Sequence, residues 1–152
     1  MLPYYFLVIV PVIAGTFKIK GLNYRKQDAV ICTFFFILFS LLALRSVEVG
    51  RDLQVYRYYF FEFAKMDWNE ATIPLKEPAY FLLNKAVAAF TDNFQWFLAA
   101  CAFLTVYPIA HVYKDEIEDP VWTIALFICM STFIVLFSGL RQSIAMALGM
   151  LA

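Results

Sequence analysis

Charge is absent from long stretches of this 152-residue chain and crowded into the segments between them. Residues 2–17, 29–44, 94–112 and 121–137 contain no Asp, Glu, Lys or Arg at all. A helix with one side in water would show charge about once per turn on that side. Runs apolar on every side belong to helices surrounded by lipid or protein, and only helices and closed barrels satisfy their backbone groups in lipid. The composition agrees, with 63% hydrophobic and 19% aromatic residues and a mean hydropathy of +0.72. The sequence therefore predicts an all-α, polytopic transmembrane protein. About five spans are expected, at residues 2–17, 29–44, 94–112, 121–137 and 143–152, the last cut short by the end of the chain. The shorter runs fall a little below the ~20 residues of a typical span, and flanking Lys and Arg can snorkel to the interface. Residues 2–17 read as a retained span rather than a signal peptide, because no basic segment precedes them.

The segments between the runs set the orientation. Residues 18–28 carry Lys18, Lys20, Arg25 and Lys26 against Asp28, whereas residues 45–78 carry five basic and six acidic residues. By the positive-inside rule the first segment is cytoplasmic, so the N-terminus is external and 45–78 is an external loop. The apolar run at 79–90 includes Asn84 and Lys85 and would rise only about 18 Å as a helix. A helix over 79–91 is accordingly expected to lie in the membrane interface. That choice returns residues 138–142 to the external side as well.

The net charge is zero and no basic stripe is present, so nothing points to nucleic acid. Cys32, Cys101 and Cys129 lie within apolar runs, there is no CxxC pair, and His111 is the only histidine. Neither a disulfide framework nor a metal or cofactor site is expected, and the cysteines read as small packing residues.

Three polar clusters interrupt the apolar background. In the first, Gly50, Arg51, Asp52 and Tyr56 follow the second run. Asp52 and Tyr56 stand four apart, so a helix beginning here puts them on one face, with Tyr59, Phe60 and Phe63 continuing it. A carboxylate beside aromatic rings suits a sugar; equally, Asp52 can cap a helix above an interfacial aromatic belt. In the second, Glu77-Pro78-Ala79-Tyr80 is followed by Asn84. Pro78 fits the first position of a helix and Glu77 its positive end. Leu83, Ala86, Val87 and Phe90 then form an apolar stripe, while Tyr80 and Asn84 share a face able to hold a glycan hydroxyl. In the third, Arg141-Gln142 opens a helix after Ser138-Gly139. A guanidinium beside free helix N–H groups makes a phosphate cradle, and simple snorkelling is the alternative.

Taken in this order between these spans, the clusters resemble the EpsG-type family of bacterial exopolysaccharide polymerases, which are similar to the Wzy polymerases. The family's Gly-x-Asp-x-x-x-Tyr element is matched by Gly50, Asp52 and Tyr56. Its Glu-Pro-x-Tyr element with a nearby Asn is matched by Glu77, Pro78, Tyr80 and Asn84, and its Arg-Gln pair by Arg141 and Gln142. Arg51 departs from the small residue often found there. The resemblance covers almost the whole chain and implies that family members continue beyond it, so this N-terminal part is expected to be inactive by itself.

What the resemblance implies is a multi-pass enzyme of the bacterial cytoplasmic membrane, acting on its external face. It would join polyprenyl-diphosphate-linked oligosaccharide repeats into exopolysaccharide or capsule, alongside other polysaccharide assembly proteins and without a cofactor. Asp52 would act on the acceptor hydroxyl and Arg141, with Arg51, on the departing diphosphate. Tyr56, Glu77, Tyr80, Asn84 and Gln142 would bind substrate. Two alternatives remain: a membrane glycosyltransferase that uses polyprenyl-phosphate sugars, and a non-enzymatic flippase or export component.

Overall fold

A computed structural model describes residues 24–49, 52–66, 77–116 and 120–151. The expected span at 2–17 and Arg51 lie outside the described residues. The described residues are helical or in short connections, with no strand among them, in line with the expected all-α class. The helices are α1 (Tyr24–Ala43), α2 (Leu53–Lys65), α3 (Pro78–Ala88), α4 (Phe94–Glu116), α5 (Pro120–Cys129), α6 (Ser131–Ser138) and α7 (Leu140–Gly149).

The long helix α4 organises the rest. Asn93 starts it, its side-chain oxygen accepting a hydrogen bond from the Gln95 N–H at 2.9 Å, as an N-cap does. Its stretch Phe94–Lys114 is the one helix among the described residues long and apolar enough to cross a membrane by itself. Among the described residues no other expected span forms a helix that passes by itself, and α1 contributes a shorter apolar stretch, Ile31–Ala43. Pro108 sits inside α4, and Thr105 returns its hydroxyl to the Cys101 carbonyl at 2.9 Å, so the buried polar group is satisfied.

The segment expected as one span over 121–137 forms two helices joined at Met130, whose backbone is extended at φ −75° and ψ 145°. No glycine or proline causes the break. The residues that follow, Ser131 and Thr132, favour helix starts over helix interiors.

Two apolar layers stack along α4. In one, Phe34, Phe35, Leu38 and Leu42 of α1 meet Ala102, Val106 and Ile109 of α4 and Ile124, Phe127 and Leu136 of α5 and α6. In the other, Leu53, Tyr56 and Phe60 of α2 meet Phe94, Phe97, Leu98 and Cys101 of α4 and Leu140 of α7, with Tyr80 and Leu83 of α3 against them.

Large apolar side chains also face outward, including Phe36 and Ile37 on α1 and Trp96, Phe103 and Tyr107 on α4. Outward apolar faces on this scale are what a bilayer covers. On α3 the residues of the expected stripe are divided between the protein and the outside. Phe81, Asn84 and Lys85 are buried, Leu83 and Val87 are half-buried, and Ala86 and Phe90 are exposed, Phe90 at 91%. With Leu82, they line a side of α3 spaced every four residues and turned away from the protein. The buried side is the one that reaches α2: the Lys85 ammonium donates to the Met66 carbonyl at the end of that helix.

Candidate functional site

The three polar clusters, separated by up to 89 residues in sequence between Asp52 and Arg141, meet through Arg141. This residue lies in the first turn of α7, and the turn is set by Gly139 and Ser143. The Ser143 N–H bonds the Gly139 carbonyl at 2.9 Å, and the Ser143 hydroxyl donates to the same oxygen at 2.8 Å. Gly139 is buried. A Cβ there would stand 3.4 Å from a Val135 methyl and 3.1 Å from the Gln142 side-chain oxygen, so any larger residue would displace Gln142.

The guanidinium of Arg141 forms an ion pair with the carboxylate of Glu77. It also stands 5.5 Å from the centroids of both the Tyr56 ring and the Tyr80 ring, within cation–π range. The two rings pack edge to face at 5.9 Å. Beneath them the aromatic layer is continuous: Tyr80 meets Phe97 at 6.0 Å and Phe63 at 6.3 Å, and Phe63 meets Phe81 at 5.2 Å. The charged head of Arg141 therefore rests on a rigid apolar floor while its side chain keeps 45% of its surface in contact with solvent.

Electrostatics follow from this packing. The hydrogen bond that Arg141 donates to the Glu77 carboxylate, and after it the one it shares with the Tyr56 hydroxyl, hold Arg141 protonated even more firmly than an ordinary arginine. Burial raises the Tyr80 phenol well above the usual tyrosine range, and Asn84 beside it offsets only part of that. The Tyr80 hydroxyl and the Asn84 side-chain oxygen are both buried without a hydrogen-bond partner. Asn84 instead donates its amide to the Tyr80 carbonyl at 2.7 Å. It has no exposed surface, so it stands behind the Tyr80 ring rather than at the open side of the cluster.

Of the remaining expected residues, Asp52 and Gln142 are exposed. Asp52 occupies the N-cap position of α2, one turn before Tyr56, and its carbonyl accepts the Tyr56 N–H at 3.1 Å. Its exposed carboxylate makes no capping hydrogen bond, so helix capping does not account for an acid at this position. Gln142 is exposed beside Arg141. Among the described residues no group of His, Cys, Asp and Glu is arranged to hold a metal ion.

Sequence reasoning passed over three residues that hold the site in place. Arg45, read there only as a charge flanking a span, is buried and donates to the carbonyls of Leu136 at 3.2 Å and Phe137 at 2.7 Å, the last turn of α6. Gln95 donates to the Ala43 carbonyl at the end of α1. Lys85 ties α3 to α2. Each meets a backbone carbonyl far away in sequence, a pairing that no local spacing announces.

Arranged this way, one fixed cation on an aromatic platform, a paired carboxylate and a second, uncapped carboxylate suit an anionic leaving group and a polyhydroxylated acceptor. In comparison with known proteins, the model of the EpsG family matches residues 28–152. No curated protein and no solved structure matches the chain.

Proposed function

The chain belongs to the EpsG family, and from that premise we propose that it is part of a membrane polysaccharide polymerase acting on polyprenyl-diphosphate-linked oligosaccharides. The single observation that carries this reading is the convergence of Tyr56, Glu77 and Tyr80 on the Arg141 guanidinium. An arginine that is both partly exposed and already oriented is ready to take a diphosphate, whose planar oxygen pairs suit its fork of donors. Glu77 holds that fork; the diphosphate, with more charge and more acceptor oxygens, exchanges for it.

The chemistry then needs one new bond and one broken bond. The acceptor hydroxyl oxygen attacks the anomeric carbon of the donor. The bond from that carbon to the diphosphate oxygen breaks, and its electron pair leaves with the diphosphate, stabilised by Arg141. The hydroxyl proton passes to Asp52 as general base. Its carboxylate is the candidate because Glu77 is occupied by Arg141, whereas Asp52 caps nothing. Arg51 would add positive charge next to Asp52, and Tyr56 and Gln142 would border the sugar. Tyr80 and Asn84 hold the platform from below. The bacterial cytoplasmic membrane is read from the family, and catalysis on its external face, with the N-terminus external, from the charge asymmetry of the loops.

The test is polymer synthesis by the whole protein in vesicles fed defined lipid-linked repeats, with the product sized. Losing an electrostatic stabiliser of the leaving group costs roughly 100- to 1,000-fold in rate, and losing a general base roughly 100- to 10,000-fold. Asp52→Asn and Arg141→Ala are expected to abolish polymer while membrane insertion stays intact. Wild-type polymer from both variants would overturn the assignments. Addition of a single sugar, in place of polymer, would point to the polyprenyl-phosphate-sugar transferase instead.

A further inference from the structure

A groove of about 590 Å³ lies beside α2, lined by Ser46, Val47 and Glu48 on one wall and Gln54, Arg57, Tyr58 and Phe61 on the other. Its volume falls within the range of small-molecule sites. At about 100° per helical residue, Gln54, Arg57, Tyr58 and Phe61 fall on a different flank of α2 from Leu53, Tyr56, Phe60 and Phe63, which are buried in the aromatic layer. The helix therefore carries two separate functional-looking faces, with Asp52 at their common N-terminal end. Neither the family elements nor the Arg141 cluster uses the groove.

Its two charged side chains are not paired with each other. Arg57 stacks over the Phe61 ring at 5.9 Å. Glu48 lines the same groove, yet the ion pairs formed among the described residues join Lys65 to Glu62 and Arg141 to Glu77. A cation and an anion that face one space without pairing leave donors and acceptors on opposite walls, with the Gln54 amide adding one of each. Tyr58 is 62% exposed, and Phe61 also shows part of its ring. Flat apolar faces between hydrogen-bonding groups match a pyranose, which presents C–H surfaces between rows of hydroxyls. A lipid phosphate fits less well, because Glu48 would repel it.

Building on the polymerase reading, we infer that this groove binds the sugar end of the acceptor glycan and leads its hydroxyl over the start of α2 to Asp52. It is a saccharide subsite distinct from the Arg141 cluster, and it takes hydroxyl-rich oligosaccharide rather than diphosphate.

The experiment uses the whole protein in nanodiscs and, as probe, the lipid-free repeat oligosaccharide released by hydrolysis from the producing cells' own polymer. Binding is read by saturation-transfer NMR, and polymer length from lipid-linked repeats is sized in parallel. Losing one stacked ring or one charged donor weakens binding by about tenfold. Tyr58→Ala and Arg57→Ala, both at exposed positions, are expected to show that loss and to shorten the polymer, while Arg141→Ala binds the probe as wild type does. Wild-type affinity in both groove variants, loss only in Arg141→Ala, or no binding to the unaltered protein would each overturn the groove. A change in the groove variants confined to binding of anionic vesicles would overturn it too, in favour of a lipid headgroup. Probe binding through the groove in a protein that makes no polymer would instead overturn the polymerase reading and leave the saccharide subsite standing.

Discussion

Arg45 and Arg141 bracket the junction of α6 and α7, and the surroundings of the two could hardly differ more. Arg45 keeps 5% of its surface and reaches backbone carbonyls at the end of α6. Those carbonyls are the unsatisfied, negatively polarised end of a helix, where a cation is favoured. Arg141, five residues after Leu136, stays partly exposed and meets a carboxylate and two aromatic rings. One guanidinium is consumed by backbone acceptors that no ligand can displace. The other is held by a side chain that can swing away. What separates the two arginines is the exchangeability of their partners rather than their charge or their position beside a span.

That contrast makes opposite predictions for stability and activity. Hydrogen bonds from a charged group are worth about 1.5–3 kcal/mol each, so Arg45→Ala, which removes two, should destabilise the protein by roughly 3 kcal/mol or more. Arg45→Lys should recover only part of that, because one ammonium replaces a planar fork poorly. Arg141→Ala should change stability by less than about 1 kcal/mol, as exposed ion pairs contribute little, while eliminating polymer. Thermal unfolding in detergent beside the polymer assay separates the two. If Arg141→Ala melts early, or Arg45→Ala folds normally and loses only activity, the distinction between the two arginines collapses.

The site was legible in the sequence to the extent that its side chains act in chain-local pairs. Asp52 with Tyr56, Glu77 with Tyr80 and Asn84, and Arg141 with Gln142 each lie within about two turns of one helix, and spacing alone puts them together. That the three pairs converge on one guanidinium was suggested only by family resemblance and loop charge, since contacts such as Glu77 to Arg141 span 64 residues. Spacing alone did not tell which side of α3 the protein covers. Here protein covers the side of Phe81, Asn84 and Lys85, and the apolar residues Leu82, Ala86 and Phe90 are turned outward, where lipid makes an exposed phenylalanine inexpensive. The break at Met130 escaped notice for a related reason: hydropathy is blind to backbone geometry, and a run can stay apolar through a kink.

A smaller effect tests how the Arg45 brace is itself anchored. Gln95, from the first turn of α4, donates to the Ala43 carbonyl and stands 3.4 Å from the Arg45 carbonyl. It thereby fixes the chain just as it leaves α1. Gln95→Ala removes neutral hydrogen bonds worth about 1 kcal/mol, so a modest loss is expected by the same melting assay. Because Arg45 and Gln95 share this connection, the double variant should lose less than the two single losses combined. Strict additivity would mean that the two residues hold α1, α4 and α6 independently.

The smallest effect concerns the platform under Arg141, and its sign depends on pH. The Tyr80 hydroxyl is buried without a partner, so removing it leaves no acceptor or donor stranded, and Tyr80→Phe should change stability at pH 8 by under about 1 kcal/mol. Polymer synthesis should persist, because the ring, and not the hydroxyl, lies against Arg141. Alkaline pH separates variant from wild type. Burial raises the Tyr80 phenol above its ordinary value of 10.0. The unfolded chain therefore ionises first, and the stability that is complete below pH 10 is lost as pH climbs further. The loss approaches about 1.4 kcal/mol per pH unit while the folded phenol stays neutral. Tyr80→Phe has no such group to titrate, so the gap between its melting temperature and that of wild type should shift in its favour from pH 8 to pH 11. A gap that does not move would place the phenol in contact with water, and the platform under Arg141 would then be open from below.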